Sequence, residues 1–325
     1  MVTNKRKVLV VQGLHEEGIK MLESRSDIEF EVLMSDDEDE ISKAAEDAHA
    51  ITVRTANISS KIISNAEKLL VVSRHGVGYD SINVNELTTR KIPLTIAAHS
   101  NMITVAEHAM MMMLALSKNV FYYDEFTRKA DWSTRWNNKS WDLAEKKLLV
   151  VGYGRIGTRV VKRAKAFDME VFVYDPYVSQ QLIEKSGAKK INNMEDFLPI
   201  FDVVTIHCPR NEETENMFSE SQFGKMKKNS YIINCARGGI INEQDLYFAL
   251  KNEKLAGAGL DVFDIEPAPI SNELLSLQNV ILSPHIAGVT VEATIRMSKE
   301  SVQNIFDIFD NKINEDVIVN NKVLG

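Results

Sequence analysis

Lys-Leu-Leu-Val-Val-Gly-Tyr-Gly-Arg-Ile-Gly occupies residues 147–157 and predicts a buried strand followed at once by a helix. After the apolar run, Gly152, Gly154 and Gly157 stand in the spacing Gly-x-Gly-x-x-Gly. The first glycine allows a tight turn, the second lets a pyrophosphate approach, and the third lets helix and strand pack closely. The free N–H groups at the helix start attract phosphate. The segment predicts a dinucleotide site; the alternative is a glycine turn that holds no nucleotide.

An acidic residue ends the next predicted strand, about 20 residues beyond the glycine motif. This residue is Asp175, and Pro176 and Tyr177 follow it. A carboxylate there accepts hydrogen bonds from the ribose hydroxyls of a dinucleotide but repels a 2′-phosphate. No arginine adjoins Asp175 to hold such a phosphate, so we expect NAD rather than NADP.

Short apolar runs alternate with amphipathic helical stretches on both sides of this motif. Such an alternation predicts parallel sheets covered on both faces, and it starts afresh midway along the chain. The fold class we expect is therefore α/β, with two doubly wound parallel-sheet (Rossmann-like) domains. The predicted strands are Val8–Val11, Phe30–Met34, Ala50–Arg54, Leu69–Arg74 and Leu94–Ala97, then Lys147–Val151, Glu170–Tyr174, Val203–His207, Tyr231–Cys235, Gly257–Val262 and Val280–Ser283.

The domain boundaries follow from two helical segments outside the second set of strands. Ile103–Asn119 is apolar and rich in methionine, which predicts a buried linking helix or, alternatively, a soft binding surface. Val291–Asp310 has apolar residues at helical spacing, and we expect it to return to the first domain. The prediction is a discontinuous substrate domain of residues 1–101 and 291–325, and a cofactor domain of residues 102–290.

Composition limits the class of partner. The 325 residues carry a formal net charge of −8, which disfavours nucleic-acid binding but permits a local anion site. The two cysteines, Cys208 and Cys235, lie in apolar runs without metal-ligand spacing, so we expect buried thiols and no metal site. No apolar stretch approaches the roughly 20 residues of a membrane span. We expect a cytoplasmic protein.

Three polar segments follow predicted strands of the second set. Ligands of open α/β sheets bind at the carboxyl ends of the strands. A histidine there can move a proton in either direction near neutral pH, a carboxylate can fix its tautomer, and an arginine can pair with a carboxylate substrate. The segments are Asn234-Cys-Ala-Arg-Gly-Gly239, Leu260-Asp-Val-Phe-Asp-Ile-Glu-Pro267 and Ser283-Pro-His-Ile-Ala-Gly288.

These segments, with the glycine motif, resemble those of the D-isomer-specific 2-hydroxyacid dehydrogenase family over nearly the whole chain. The resemblance implies that Arg237 binds the substrate carboxylate and that His285 is the acid/base, with Glu266 as its partner. Asp261 would hold the nicotinamide carboxamide. The other implied cofactor contacts are Gly152, Gly154, Arg155, Ile156, Gly157, Asp175, His207, Cys208, Pro209, Cys235, Ala236 and Gly288.

In the first domain, His75-Gly-Val-Gly-Tyr-Asp80 is similar to the glycine loop of that family. The resemblance implies that the backbone N–H groups of Val77 and Gly78 grip the substrate carboxylate, and that Asn101 lies in the hinge near the site. His75 stands where a smaller residue is usual. Taken singly, each of these residues has a plain structural interpretation, such as a surface ion pair or a loop contact.

Two arginines bear on the substrate. Arg54 and Arg74 match positions that bind the distal anion in the 3-phosphoglycerate dehydrogenase branch, and the alternative is a pair of ordinary surface arginines. Two guanidiniums favour a substrate with a second anionic group. Hydroxypyruvate or glyoxylate reduction, or a sulfolactate-type substrate, remains an alternative. Little sequence follows Val317–Asn320, so we expect no regulatory domain of the kind that long phosphoglycerate dehydrogenases carry.

Two other activities exist on this scaffold. One is an NAD-sensing binding protein of the corepressor type, which the candidate catalytic residues do not exclude. The other is formate dehydrogenase, against which Glu266 speaks because that branch has glutamine there. The resemblance also implies a homodimer through Ile103–Asn119 and Phe121–Trp141. Aromatic residues are enriched in interface cores, and the candidate anchors are Trp132, Trp136 and Trp141, unless these form a local core.

Overall fold

A computed structural model describes residues 5–324, which form two compact units. The first unit takes in the described residues of Met1–Asn101 and Val289–Gly325, and the second spans Met102–Gly288. The first unit is therefore discontinuous in sequence, because the chain leaves it after Asn101 and re-enters it at Val289.

The first unit is built on a parallel sheet. Its elements up to the boundary are β1 (Arg6–Val11), α1 (Glu16–Glu23), β2 (Ile28–Leu33), α2 (Glu38–Ala45), β3 (Ala50–Val53), α3 (Ser60–Asn65), β4 (Val71–Arg74), α4 (Val84–Thr89) and β5 (Leu94–Ile96). The strands lie in the order β2-β1-β3-β4-β5, and neighbours run parallel. Helices cover both faces of such a sheet, which is why its inner strands are apolar without alternation.

The second unit begins with two helices and continues with a larger parallel sheet. Its elements are α5 (Met102–Ser117), α6 (Val120–Arg128), β6 (Lys147–Val151), α7 (Gly157–Ala166), β7 (Glu170–Tyr174), α8 (Gln180–Glu184), β8 (Lys189–Ile191), β9 (Val203–Ile206), α9 (Glu220–Lys225), β10 (Tyr231–Asn234), α10 (Glu243–Lys251), β11 (Gly257–Leu260) and β12 (Val280–Leu282). The order is β12-β11-β10-β9-β6-β7-β8, again parallel. The order reverses between β6 and β9, and ligands of open α/β sheets bind at the carboxyl ends of the strands beside such a point.

The last long helix, α11 (Val291–Phe309), belongs to the first unit. The Thr290 side chain caps it by accepting a hydrogen bond from Ala293 N. Its apolar stripe packs with β1 and α1 in one core cluster, which includes Val8, Val10, Leu22, Val302, Ile305, Phe306 and Phe309. Each fully buried aliphatic or aromatic side chain contributes about 1.5–3 kcal/mol, so this stripe holds the returning helix firmly.

The fold class predicted from the sequence is confirmed: two parallel α/β sheets follow each other along the chain. The predicted buried helix after Asn101 is also confirmed as α5, in which Met110, Met112 and Met113 are buried. Met111 is 41% exposed and faces away from that core.

The ends of several predicted strands are wrong by one or two residues. The strands expected to reach Cys235, Val262 and Ser283 stop at Asn234, Leu260 and Leu282. After Asn234 the backbone turns out of the sheet, and the N–H of Ala236 donates to the Asn234 side chain. Strand β8 was not predicted, because Lys-Lys-Ile is short and two-thirds charged and lies at the sheet edge.

Trp141 is partly buried and contacts Tyr231. Its ring stacks on Tyr231 with 5.1 Å between ring centroids, and its Nε1 donates to the Tyr231 hydroxyl at 3.2 Å. Trp132 and Trp136 are 68% and 76% exposed. Among the described residues, no helix is both long and apolar enough to span a membrane.

A substitution at Gly18 tests how closely helices α1 and α11 pack against each other. A Cβ on Gly18 would collide with the Ser298 hydroxyl of α11. Overpacking of this kind costs about 1–3 kcal/mol, so we expect Gly18→Ala to lower the free energy of unfolding, measured by urea denaturation.

The matched control is Gly224 in α9, where no atom of the described residues lies within 4 Å of an added Cβ. Gly224→Ala should be neutral or stabilising by about 0.5–1 kcal/mol, because alanine is the better helix former. Equal effects of the two substitutions would mean that the helices can separate to admit a methyl group.

Candidate active site

Three loops leave neighbouring strands of the second sheet at the same level. Asn234 of β10 pairs with Leu260 of β11, and Leu260 pairs with Leu282 of β12. The segments that follow these strands are the three that the sequence marked as candidate site segments. The sheet register therefore brings Arg237, Glu266 and His285 to one edge of the unit.

His285 and Glu266 form a hydrogen-bonded pair. His285 Nδ1 lies 2.6 Å from Glu266 Oε2, and the second oxygen of Glu266 accepts from Phe263 N at 2.9 Å. Because an ionised carboxylate can only accept, the contact assigns a proton to Nδ1 of the imidazole. Nε2 is then the atom that can exchange a proton with a ligand. The His285 side chain is 50% exposed, which leaves it accessible.

Asp261 fastens the loop that carries His285. Its carbonyl accepts from His285 N, its Oδ1 accepts from Ile286 N and its Oδ2 accepts from Ala287 N, each at 2.8 Å. His285 has a φ of 53°, in the left-handed region that costs a residue with a Cβ about 1–2 kcal/mol. Hydrogen bonds to a charged group contribute about 1.5–3 kcal/mol each, which offsets that strain. Asp261, only 1% exposed, thus sets the backbone from which the imidazole projects.

The Arg237 loop is held from two directions. The buried Asn234 side chain donates to Arg237 O at 2.8 Å and accepts from Ala236 N at 2.9 Å. Gly239 N donates to the Asp264 carboxylate, which ties this loop to the segment that bears Glu266. Arg237 itself is half-buried, and its Nη1 donates to Ala236 O at 2.7 Å. A guanidinium in this position suits a carboxylate ligand.

At one position of the glycine motif, packing within the chain does not require a glycine. A Cβ on Gly157 would collide with the carbonyl of Gly152, so the packing of α7 on β6 requires that glycine. A Cβ on Gly154 would meet nothing within 4 Å among the described residues. The space above Gly154 is therefore open to a ligand, as close approach of a pyrophosphate requires.

Asp175 lies beside this motif and organises it. Its Oδ2 accepts from Tyr153 N at 2.8 Å, and its Oδ1 accepts from Tyr177 N at 2.9 Å and from Val178 N at 3.2 Å. A carboxylate offers about four acceptor positions, so one remains for a ribose hydroxyl. The residues present fit a dinucleotide with an unmodified adenosine ribose.

The other predicted cofactor residues follow strands of the second sheet, and Arg155 and Pro209 among them are exposed. The full set follows β6, β9, β10 and β12: Arg155, Ile156, His207, Cys208, Pro209, Cys235, Ala236 and Gly288. Cys235 Sγ lies 3.9 Å from Met112 Sδ, and burial raises the pKa of this thiol. His207 Nε2 contacts Thr205 Oγ1 at 2.9 Å, and burial lowers the pKa of His207 to about 3.

The predicted substrate residues lie in the first unit: Arg54, Arg74, Val77, Gly78 and Asn101. Arg54 is exposed just past β3, whereas Arg74 is half-buried and donates to the carbonyl of His75. A Cβ on Gly76 would collide with the Arg74 guanidinium, so Arg74 lies over the glycine loop. His75 is 4% exposed; its burial and the nearby charges of Arg74 and Arg54 lower its pKa to about 4. Asn101 Oδ1 is buried with no hydrogen-bond partner in the described residues.

Three residues with clear roles in this geometry were not identified from the sequence. Asn234 ends a strand directly before the arginine loop, and that position could have indicated it. Ser283 stands in one of the candidate segments, but nothing in that segment singles it out, and no residue near His108 in the sequence indicates a partner. His108 contacts Ser283 across 175 residues of sequence, for which no local signal exists.

Comparison with known proteins gives one family and consistent relatives. The family model "D-isomer specific 2-hydroxyacid dehydrogenase, NAD binding domain" matches residues 110–287. Glyoxylate reductase of Korarchaeum cryptofilum is 33% identical over 97% of this chain and 97% of its own length.

D-3-phosphoglycerate dehydrogenase of Methanocaldococcus jannaschii is 37% identical over 96% of this chain, which spans 59% of that relative's length. Among solved structures, D-lactate dehydrogenase of Aquifex aeolicus, complexed with NAD and lactic acid, superposes with a TM-score of 0.86. It is 26% identical, over 96% of this chain and 98% of that one.

The low pKa values of two histidines predict how the stability of the fold responds to acid. Their pKa values, about 4 for His75 and about 3 for His207, lie below the ordinary 6.5. The unfolded chain therefore takes up these protons first as the pH falls below 6.5. Each histidine removes up to about 1.4 kcal/mol of stability per pH unit in that window.

We expect His75→Gln to flatten the fall in unfolding free energy between pH 6 and pH 4.5, measured by urea denaturation at several pH values. His207→Gln should also flatten this fall in unfolding free energy, and independently of His75→Gln, because the two sites lie in different units. An unchanged slope in both variants would show that these imidazoles are protonated in the folded protein.

Proposed function

The chain belongs to the D-isomer-specific 2-hydroxyacid dehydrogenase family, and we propose that it interconverts a D-2-hydroxy acid and its 2-keto acid with NAD. The observation that carries the proposal is the 2.6 Å contact between His285 Nδ1 and Glu266 Oε2, beside the Arg237 loop. The pair supplies an acid/base, and Arg237 supplies the cation that a carboxylate substrate requires.

The chemistry divides between the cofactor and the side chains. NAD bound at the glycine motif supplies the acceptor or donor of the hydride. In the oxidation, His285 Nε2 takes the hydroxyl proton, and the Glu266 carboxylate stabilises the resulting imidazolium. In the reduction, the same nitrogen returns the proton to the carbonyl oxygen. Arg237 orients the substrate by pairing with its carboxylate.

The cofactor is NAD, because residues 110–287 match an NAD-binding domain. The Asp175 carboxylate favours NAD over NADP, since it would repel a 2′-phosphate and keeps one acceptor position for a ribose hydroxyl. We assign the first unit to substrate binding and the second to the cofactor, with the glycine loop of Val77 and Gly78 and the hinge residue Asn101 on the substrate side.

The substrate we propose is a small 2-hydroxy acid with a second anionic group, similar to 3-phosphoglycerate. Arg54 and Arg74 support it, because both guanidiniums are close enough to His75 to lower its pKa. A relative named D-3-phosphoglycerate dehydrogenase also supports it. The exposed Arg54 is the better placed of the two to meet a distal anion. The alternative is hydroxypyruvate or glyoxylate reduction, which the relative named glyoxylate reductase favours.

We also propose a homodimer in the cytoplasm. Phe121, Trp132 and Trp136 are 63–76% exposed in the segment that follows α5, and aromatic side chains of this kind are enriched in interface cores. Trp141 is stacked on Tyr231, which favours the alternative of a local core for this residue. The free thiols of Cys208 and Cys235 suit a reducing compartment.

Turnover of a panel of 2-keto acids with NADH tests the proposed activity. We expect His285→Ala to lower kcat by about 10²–10⁴-fold, the usual contribution of a positioned acid/base. Glu266→Gln should retain part of kcat and shift its pH profile, because the imidazolium loses a neighbouring charge. No turnover of any keto acid by the unmodified protein would contradict the dehydrogenase and favour a binding protein that senses NAD.

Substitution of Arg54 separates the two substrate classes, and substitution of Arg74 does not. Arg54→Ala should lower kcat/KM for a doubly anionic substrate by about tenfold or more, the value of a hydrogen bond to a charged group, and spare glyoxylate. Arg74→Ala should impair both substrates, because Arg74 also lies over the glycine loop. If Arg54→Ala loses activity equally on both substrates, the proposal that the substrate carries a second anionic group is wrong, and the dehydrogenase assignment remains.

A further inference from the structure

His108 lies on α5, far in sequence from the candidate catalytic residues, and contacts the loop that carries them. Its Nε2 is 2.9 Å from Ser283 Oγ, and Ser283 Oγ is 2.6 Å from Asp261 Oδ1. The His108 side chain is 15% exposed, and its Nε2 lies 3.7 Å from Asp261 Oδ1. Three polar groups therefore form a chain that ends on the carboxylate beneath His285.

The direction of this chain follows from the number of available protons. The Ser283 hydroxyl has one hydrogen, and its short contact with a carboxylate oxygen commits that hydrogen to Asp261. The hydroxyl oxygen must then accept from His108. The order of donation is His108 Nε2–H to Ser283 Oγ–H to Asp261 Oδ1, which fixes a proton on Nε2 of His108.

The Asp261 carboxylate is almost filled by these contacts. Oδ1 accepts from Ser283 Oγ and from Ile286 N, and Oδ2 accepts from Ala287 N. Of the roughly four acceptor positions of a carboxylate, one remains, and it is on Oδ2. The rotation of the carboxylate decides where this last acceptor position points, and the Ser283 contact restrains that rotation.

The surroundings of His108 argue against a role as packing alone. Nearby positions on α5 are buried and apolar, among them Val105, Ala109 and Met112. An imidazole in such a helix loses hydration, and an apolar side chain of similar size would avoid that cost. The hydrogen bond to Ser283 is the compensation, so the polarity of His108 has its use in the Asp261 network.

We propose that His108 is a positioning residue that, through Ser283, fixes the Asp261 carboxylate, the loop of His285 and the last acceptor position on Oδ2 for the cofactor's carboxamide. This inference rests on the proposed function only for the cofactor contact. The effect on the loop follows from hydrogen bonds inside the chain. In this proposal His108 acts through Ser283 and not on the reacting atoms.

The experiment compares four variants with the unmodified enzyme. His108→Met removes the donor at similar volume, and His108→Gln keeps an N–H donor near the position of Nε2. Ser283→Ala breaks the chain at its middle, and His108→Met/Ser283→Ala completes a double-mutant cycle. The control is Glu107→Gln, the neighbouring residue on α5, whose exposed carboxylate pairs with Arg163 at 2.9 Å and should matter little.

Three readouts are measured: the Kd of NADH by fluorescence, kcat and KM for the best keto acid, and hydrogen exchange of the peptide containing Ile286 and Ala287 without cofactor. We expect His108→Met to weaken NADH binding about tenfold, to lower kcat more than it changes the KM of the keto acid, and to speed the exchange of both amides. His108→Gln should restore most of each loss, and the double variant should match Ser283→Ala alone.

Additive effects in the cycle, or His108→Gln as impaired as His108→Met, would overturn the proposal, and so would unchanged exchange in Ser283→Ala. Thermal unfolding of each variant separates these results from a general loss of stability. If the unmodified protein reduces no keto acid, the proposed function fails, while the exchange measurements still decide the role of His108.

Discussion

A single buried carboxylate, that of Asp261, sets the geometry of the candidate site. A charge removed from water is costly unless donors surround it, and the nearest donors are the Ser283 hydroxyl and two consecutive backbone amides. Satisfying the carboxylate therefore means wrapping the chain around it, and this forces His285 into a left-handed conformation. The hydrogen bonds that Asp261 accepts therefore set the direction of the His285 imidazole, and Glu266 then selects its tautomer. Asp175 acts in a similar way: its carboxylate accepts hydrogen bonds from backbone amides, and these bonds shape the glycine motif.

The parallel sheet explains why a few short segments suffice to build the candidate site. Each strand delivers its following loop to the same edge, so a site can be assembled from short segments that are distant in sequence. Close backbone approaches then lock the loops together: a Cβ on Gly238 would collide with the carbonyl of Phe263. The loops of Arg237 and Glu266 thus form one layer, and neither can shift without the other. Rigid placement of this kind is what positioned proton transfer needs.

The parts that could be predicted from the sequence are those with local causes. The glycine motif, the strands around it and the helix of residues 291–309 follow from spacing and from apolar periodicity, which act over a few residues. The partners of His108 and Trp141 could not be predicted, because each is set by the tertiary fold over more than 80 positions. Strand ends were misjudged for a related reason: after Asn234 the backbone turns to hydrogen-bond with a side chain, and composition does not reveal this.

The return of α11 to the first unit has a consequence for the order in which the chain acquires structure. The first sheet buries Val8 and Val10 against Val302 and Phe306, residues that a ribosome adds almost 300 positions later. At about 5–20 residues per second, the amino-terminal strands wait many seconds for their cover. The second unit, whose contacts lie within one continuous stretch, can be complete before then. The amino-terminal strands of the first unit are thus synthesised first, but their core is completed last. Until α11 is made, the apolar face of these strands stays uncovered on the nascent chain, where a chaperone can bind it.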